Sequence, residues 1–299
     1  MIDFTVSAPA SSANLGAGFD AVGIALELRM TARVRELPAG SAPQWSATGS
    51  HAPTHDGIRA CVERAIARIV AEPPPLALEI DNAIPLGSGL GSSAAAYALG
   101  VAIGARLAAE PPHEERQAHI VAELEGHPDN ALAAWYGGTI VAAVGDDGLT
   151  TARFGALDVQ AVVVVPEIEL ATAAARALIP HTYARADAVH NVQRAALLGA
   201  ALGSGRLDLL RAAVRDKLHQ PYRAGAVPGL AEMLELDDPA LVAIALSGAG
   251  PSVLALVRDD PERIGRLLRG IFARRGIPSE ALLLPLAAQG VTVVETARA

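Results

Sequence analysis

The chain has 299 residues, 51% of them hydrophobic, and a formal charge of -8 at pH 7; that length supports a sizeable core and fits two lobes of about 150 residues each. Its apolar runs are broken by Arg, Asp, Gly or Pro short of the roughly 18 residues a membrane span needs, and its acidity argues against collecting phosphate backbones, so neither a membrane nor a nucleic acid is an expected partner. A single cysteine, Cys61, set in a helix-like apolar stripe, excludes an internal disulfide and a Cys-rich metal site, while Met1-Ile2-Asp3-Phe4 enters a strand pattern without leader-like regions, which points to the cytoplasm.

Apolar spacing predicts strands at 3–8, 22–35 and 76–82 and helices at 56–71, 92–109 and 113–124, so the first half is mixed α+β. After Gly137-Gly138 a strand pair is predicted at 139–144 and 149–154, and the run 159–166 opens a fresh buried strand. The lobe boundary falls near residue 155, dividing the chain into 1–154 and 155–299. Beyond it the expected order is strand, a helical stretch over 172–216, strands at 241–246 and 253–257, a helix at 260–272 and a last strand at 291–296, which resembles a split βαβ layout with extra helices. The clusters Pro73-Pro74-Pro75 and Pro111-Pro112 are breaks between elements.

Lys217 is the chain's only lysine, so no Gly-Lys pair exists and a Walker A loop is excluded. Any nucleotide must be held by another device. Pro85-Leu86-Gly87-Ser88-Gly89-Leu90-Gly91-Ser92-Ser93-Ala94-Ala95 follows a strand and opens a helix. Its alternating glycines let backbone N–H groups approach a ligand, Ser92 and Ser93 are placed to cap the helix, and a helix start favours an anion such as a diphosphate or triphosphate. Two other readings stand beside this one: a loop that only turns the chain, and a dinucleotide fingerprint in which Gly89-Leu90-Gly91-Ser92-Ser93-Ala94 is followed by Glu110 as the ribose acid. The second is weakened because no repeat of alternating strands and helices precedes the loop.

Pro85 to Ala95 resembles the phosphate-loop signature of the GHMP kinases. Pro9 to Asp20 is similar to the N-terminal motif of the homoserine kinase branch, and Leu246-Ser247-Gly248-Ala249-Gly250-Pro251-Ser252 to the C-terminal glycine motif. With Glu125-Gly126-His127-Pro128-Asp129-Asn130 and Asp216 to Arg223, five blocks agree in order along nearly the whole chain. The resemblance implies a two-lobed α+β fold, with a ribosomal-protein-S5-domain-2-like first lobe and a ferredoxin-like second. It implies transfer of phosphate from ATP, with Mg²⁺, to the hydroxyl of L-homoserine; a homodimer is common among such proteins.

By the same resemblance, the loop residues hold the nucleotide, while Ser93 (with Ser92 as the other choice) and Glu125 (with Glu123 as a nearby competitor) are the metal-side groups. Arg176 and Arg223 match the family's carboxylate-binding arginines, a role suited to the planar guanidinium fork, and Thr172 would share the helical face of Arg176. Asp20 and Asp129 are candidates for the ammonium or the hydroxyl end; Asn14, His127 and Asn130 could bond the hydroxyl or orient the amino acid; Gly248 supports binding. The bland alternatives are turn chemistry for Asn14 and Asp20, a structural imidazole for His127, a solvated helix end for Glu125 and surface positions for the arginines. Direct in-line transfer without a phospho-enzyme is the expected mechanism, in which a general base would add only about 10²–10⁴-fold.

Overall fold

Phe4, Val6 and Ala8 are buried in alternation with half-exposed neighbours, the period of a strand with one inward face. In the computed structural model, which describes residues 2–52, 56–109 and 113–295, they lie on β1 (Asp3–Ala13). From Ala8 onward every residue of β1 is buried, because the Ser247–Gly250 turn of the other lobe lies over the strand's end: Gly248 N–H donates to the Ala13 carbonyl at 3.1 Å. The long β2 (Val22–Glu36) pairs antiparallel with β1 and, at its two ends, with β5 (Thr139–Gly145) and β4 (Leu76–Asn82). β3 (Gln44–Thr48) runs parallel to β4 at one edge, and β6 (Gly148–Phe154) forms a hairpin with β5.

Four helices belong to this first lobe: α1 (Gly57–Ile69), α2 (Ser92–Leu107), α3 (Glu114–Glu125) and α4 (Pro128–Tyr136). Every residue of α2 from Ala94 to Gly104 is buried, the signature of a central helix rather than an amphipathic one. Its small side chains permit that depth: a Cβ on Gly100 would lie 2.5 Å from the Val62 carbonyl of α1.

The chain passes from the first sheet to the second between Phe154 and β7 (Gln160–Pro166). The second lobe continues with α5 (Thr172–Ala177), α6 (Arg185–Ser204), a 3-10 turn at Leu207–Leu209, α7 (Leu210–Ala213), α8 (Gln220–Arg223), α9 (Leu230–Leu234), β8 (Leu241–Leu246), β9 (Val253–Val257), α10 (Pro261–Ala273) and β10 (Ser279–Pro285). Its sheet is antiparallel throughout, in the order β10-β7-β9-β8.

Two expectations are corrected. The helical stretch over 172–216 is interrupted after Ala177, where Pro180 follows, and again at Gly205, which ends α6 in the left-handed conformation. The last strand, β11 (Thr292–Glu295), does not complete the second sheet but pairs antiparallel with β1 in the first. β3, β10, α4, α8 and α9 were not anticipated; most are short, and β10 has a largely half-exposed pattern without clean alternation. Glu110, Pro111, Pro112 and residue 296 of the expected last strand lie outside the described residues. Among the described residues no helix is long and apolar enough to cross a membrane.

Candidate active site

The turn after β1 is built from left-handed backbone: φ is +76° at Asn14, +44° at Leu15, +66° at Gly16 and +55° at Asp20. Such conformations strain residues other than glycine and persist only where surroundings enforce them. Here Gly16 is obligatory, since any Cβ would enter the Val214 carbonyl. Asn14 locks the turn: its Oδ1 accepts the Asp20 N–H at 2.9 Å and its Nδ2 donates to the Gly248 carbonyl at 2.8 Å. Asn14 lines the cleft, and these two bonds also make it a pin between the lobes.

Asp20 points across the cleft to Arg176 on α5, which donates to its two oxygens at 2.7 and 3.1 Å. Arg223 on α8 is 1% exposed and donates from Nη1 to the Gly248 carbonyl at 3.1 Å and from Nε to the Ala175 carbonyl at 3.3 Å. Burial, and then the like charge of Arg176, lower its pKa. The Phe19 ring sits under both guanidinium groups, its centroid 5.7 Å from Arg176 Cζ and 5.6 Å from Arg223 Cζ. Two guanidinium groups over one ring have the chemistry to bind a carboxylate. Thr172 lines the same cleft.

The glycine loop meets the same cleft. Gly87, Gly89 and Gly91 all have positive φ. The Gly89 carbonyl accepts from the Ser247 hydroxyl at 2.8 Å, and a Cβ on Gly91 would enter the Ser11 hydroxyl, so the loop is clamped from both lobes. The expected serine cap does not form: Gly91 is the N-cap residue of α2, and no side chain satisfies the helix's first N–H groups. The Ser93 hydroxyl instead donates to Glu125 Oε1 at 2.8 Å, while Gly87, Gly89, Leu90, Gly91 and Ser92 line the cleft. Pro85, Leu86, Ser88, Ala94 and Ala95 do not. Ser88 bonds back to the Pro85 carbonyl, and Ala94 and Ala95 pack into the core, so these five shape the loop from behind.

Glu125 ends α3, where Gly126 in the left-handed conformation turns the chain. Burial pushes its carboxyl up to about 7, the Ser93 hydroxyl opposing the shift. Glu123 faces away, paired with Arg68 at 3.3 Å on the surface. Asp129 is 2% exposed at the start of α4; its Oδ1 accepts the Asn130 N–H at 2.7 Å, and burial raises its pKa to about 7. The Asn130 Oδ1 accepts from the Ser11 hydroxyl at 2.9 Å. His127 also lines the cleft, its pKa lowered by burial and then by Arg176. α4 can lie this close because Gly23 of β2 has no side chain: a Cβ there would enter the Asp129 carbonyl.

Asn14, Asp20, Gly87, the loop from Gly89 to Ser93, Glu125, His127, Asp129, Asn130, Thr172, Arg176, Arg223 and Gly248 line one cleft of about 640 Å³ with its mouth included. It therefore has an anion-seeking helix start, a pair of hard oxygens, two buried or half-buried acids and a cation pair in a single volume. Phe19, His219 and Ser247 escaped the sequence reading although each lies inside a motif block; the signal available was their place between assigned residues.

Comparison with known proteins gives the same picture. Residues 58–138 match the family model described as GHMP kinases N terminal domain, and residues 191–273 that described as GHMP kinases C terminal. The homoserine kinase of Solibacter usitatus is 44% identical over 93% of each chain, and that of Deinococcus radiodurans 40% identical over 99% of this chain and 98% of its own. The crystal structure of homoserine kinase from Cytophaga hutchinsonii superposes with a TM-score of 0.83 at 24% identity, covering 98% of both chains. Galactokinase from Lactococcus lactis superposes with a TM-score of 0.69 at 13% identity, covering 97% of this chain and 95% of its own. These two structural likenesses speak to the fold alone.

Proposed function

The chain belongs to the homoserine kinase family of the GHMP kinases, and from that premise we propose that it transfers the γ-phosphoryl group of ATP to the side-chain hydroxyl of L-homoserine. The product is O-phospho-L-homoserine, on the route to threonine. The observation that carries the substrate assignment is the Asp20, Arg176 and Arg223 cluster, which offers both signs of charge to a zwitterion at one end of the cleft.

The residues fit a metal-nucleotide as well. The uncapped start of α2 leaves backbone N–H groups and the positive helix end directed at an anion. Ser93 and Glu125 supply hard oxygens of the kind Mg²⁺ takes one or two of, the rest coming from water and phosphate. When bound, the metal neutralises charge on the transferring group. The chain's own contribution is placement: Arg176 and Arg223 receive the substrate carboxylate, Asp20 turns from Arg176 to the ammonium, and Asn130 with Asp129 faces the hydroxyl. A carboxyl titrating near 7 suits proton acceptance. Transfer is direct, with inversion at phosphorus; retention of configuration in a chiral-phosphate experiment would contradict it.

A coupled assay with homoserine, mevalonate and galactose tests the acceptor. Only homoserine presents both a carboxylate and an ammonium, so it alone should turn over efficiently; turnover of mevalonate without homoserine removes the assignment. The proposal places the enzyme in the cytoplasm with no membrane or nucleic-acid partner, and includes a homodimer. Light scattering that returns the mass of one chain would overturn the dimer.

A further inference from the structure

Behind the substrate end of the cleft lies an imidazole to which the chemistry above gives no task. His219 is 0% exposed, just ahead of α8, and does not line the cleft. Its Nδ1 is 3.0 Å from Arg223 Nη1 and its Nε2 is 2.9 Å from the Gly16 carbonyl. A guanidinium nitrogen can only donate and a carbonyl can only accept. Nδ1 must therefore be bare and Nε2 must carry the hydrogen, so the contacts admit one neutral tautomer.

An imidazolium would set one N–H against another at Nδ1. Burial, the largest influence on the ring, lowers its pKa and opposes the charged form. Asp216 Oδ2 lies 3.5 Å from Nε2, but that carboxylate already accepts from the backbone N–H groups of Leu218, His219 and Gln220 and from Asn191. The Phe19 ring stacks on the imidazole with centroids 4.9 Å apart and planes at 21°.

These contacts close a circuit. Gly16 in the first lobe accepts from His219, which accepts from Arg223, which donates to Gly248; Asn14 donates to the same Gly248 carbonyl and lies two residues from Gly16. The circuit joins the strained turn that carries Asp20 to the helix that carries Arg223. We infer that His219 is a positioning residue for the amino-acid substrate, a fixed-tautomer link that holds the carboxylate receptor in register with the turn that carries Asp20. The inference rests on the homoserine reading above and adds to it the element that sets the spacing between the two charges the pocket offers.

Its test begins with wild-type turnover of homoserine, which judges the reading itself. His219→Ala should then raise the KM for homoserine at least tenfold while the KM for ATP stays within twofold and kcat changes less than the homoserine KM. His219→Asn places an amide oxygen near the position of Nδ1, able to accept from Arg223, and should recover most of the loss. A folded His219→Ala enzyme with an unchanged homoserine KM, a parallel rise in both KM values, or an Asn variant no better than Ala would each overturn the inference. Should neither variant fold, ¹⁵N NMR of histidine-labelled wild-type protein still decides. The resonance pair assigned to His219 through its contact with Phe19 must report a neutral ring protonated on Nε2 from pH 6 to 9, and protonation of that ring on Nδ1 or on both nitrogens refutes the circuit even if homoserine is turned over.

Discussion

Glu125 has a single hydroxyl partner, Ser93, in a recessed site, and its carboxyl is held up at about 7 against an ordinary value of 4.5. A carboxyl raised in the folded state binds its proton more tightly there than in the unfolded chain. It therefore favours folding below about 4.5, and that contribution is lost as pH rises to about 7. Glu125→Gln keeps an acceptor for Ser93 without the charge, so the ligand-free variant should be more stable than wild type at pH 8, by about 1 kcal/mol in urea unfolding, and equal to it at pH 4.5. The same variant should lose at least about 10²-fold in kcat, because a neutral amide is a poor ligand for Mg²⁺. Lower stability at pH 8 would show that the buried charge is better solvated than its surroundings suggest. For Asp129, also titrating near 7, Asp129→Asn should lower kcat about 10²-fold and abolish the rise of kcat with pH around 7. A kcat within tenfold of wild type would reassign Asp129 to orientation alone. At this scale single residues were legible only through their motif blocks: on their own, the arginines read as surface positions and Glu125 as a solvated helix end, and it is the structure that brings them to one cleft. The sequence could not separate Glu125 from Glu123, because both are acids near one helix end and only packing turns one inward and leaves the other with Arg68.

The helix start proposed to bind phosphate depends on what surrounds its glycine as much as on the glycine's own freedom. Gly91 and Gly205 end or begin helices at nearly identical φ, +66° and +67°, but nothing lies within 4 Å of a Cβ at Gly205, whereas at Gly91 it would enter the Ser11 hydroxyl. Gly205→Ala should therefore cost only the left-handed strain of about 1–2 kcal/mol in stability and leave the KM for ATP unchanged. Gly91→Ala adds displacement of Ser11, and through its hydroxyl bond, of Asn130. Its kcat/KM for ATP should fall at least tenfold beyond that of Gly205→Ala, and equal kinetics in the two variants would refute the clamp. The loop and the helix after it were legible because glycine alternation and an apolar run of that length have few other solutions. The cap was misjudged: Ser92 and Ser93 have the right chemistry, but the chain enters the helix one residue earlier, at Gly91, leaving the first N–H groups free of side chains. α4 was overlooked because only two residues separate it from the end of α3, and its proximity to β2 depends on the missing side chain at Gly23.

For the molecule as a whole, the decisive feature is that the chain returns at its end to the lobe where it began. Leu286 bridges to Leu26, the Ala287 N–H donates to the Ala25 carbonyl at 3.0 Å, and the Val291 N–H donates to the Trp135 carbonyl at 3.0 Å. Gly290 is required where this segment crosses α4, since a Cβ would enter the Trp135 carbonyl. β11 then covers β1 from Phe4 opposite Glu295 to Ser7 opposite Thr292. Alternation in four residues can announce a strand but not its sheet, and for that reason the sequence left β11 in the wrong lobe. The consequence is mechanical: the second sheet is inserted between elements of the first, so one lobe cannot unfold without loosening both of the other's connections. Unfolding of the full chain should be a single cooperative transition in urea, with fluorescence of Trp45 and Trp135 and circular dichroism coincident. Ending the chain after Leu286 strips β1 of its partner on one side, leaving only β2, and makes it an exposed edge. Two separated transitions should replace the one, the earlier reported by the tryptophans of the first lobe, and the homoserine KM should rise because β1 leads directly into Asn14 and Asp20. If the shortened chain melts in one transition at the wild-type midpoint, the returning strand has no part in joining the lobes, and the cleft is held by the contacts that cross it, among them Asn14 with Gly248, Gly16 with His219, Asp20 with Arg176 and Gly89 with Ser247.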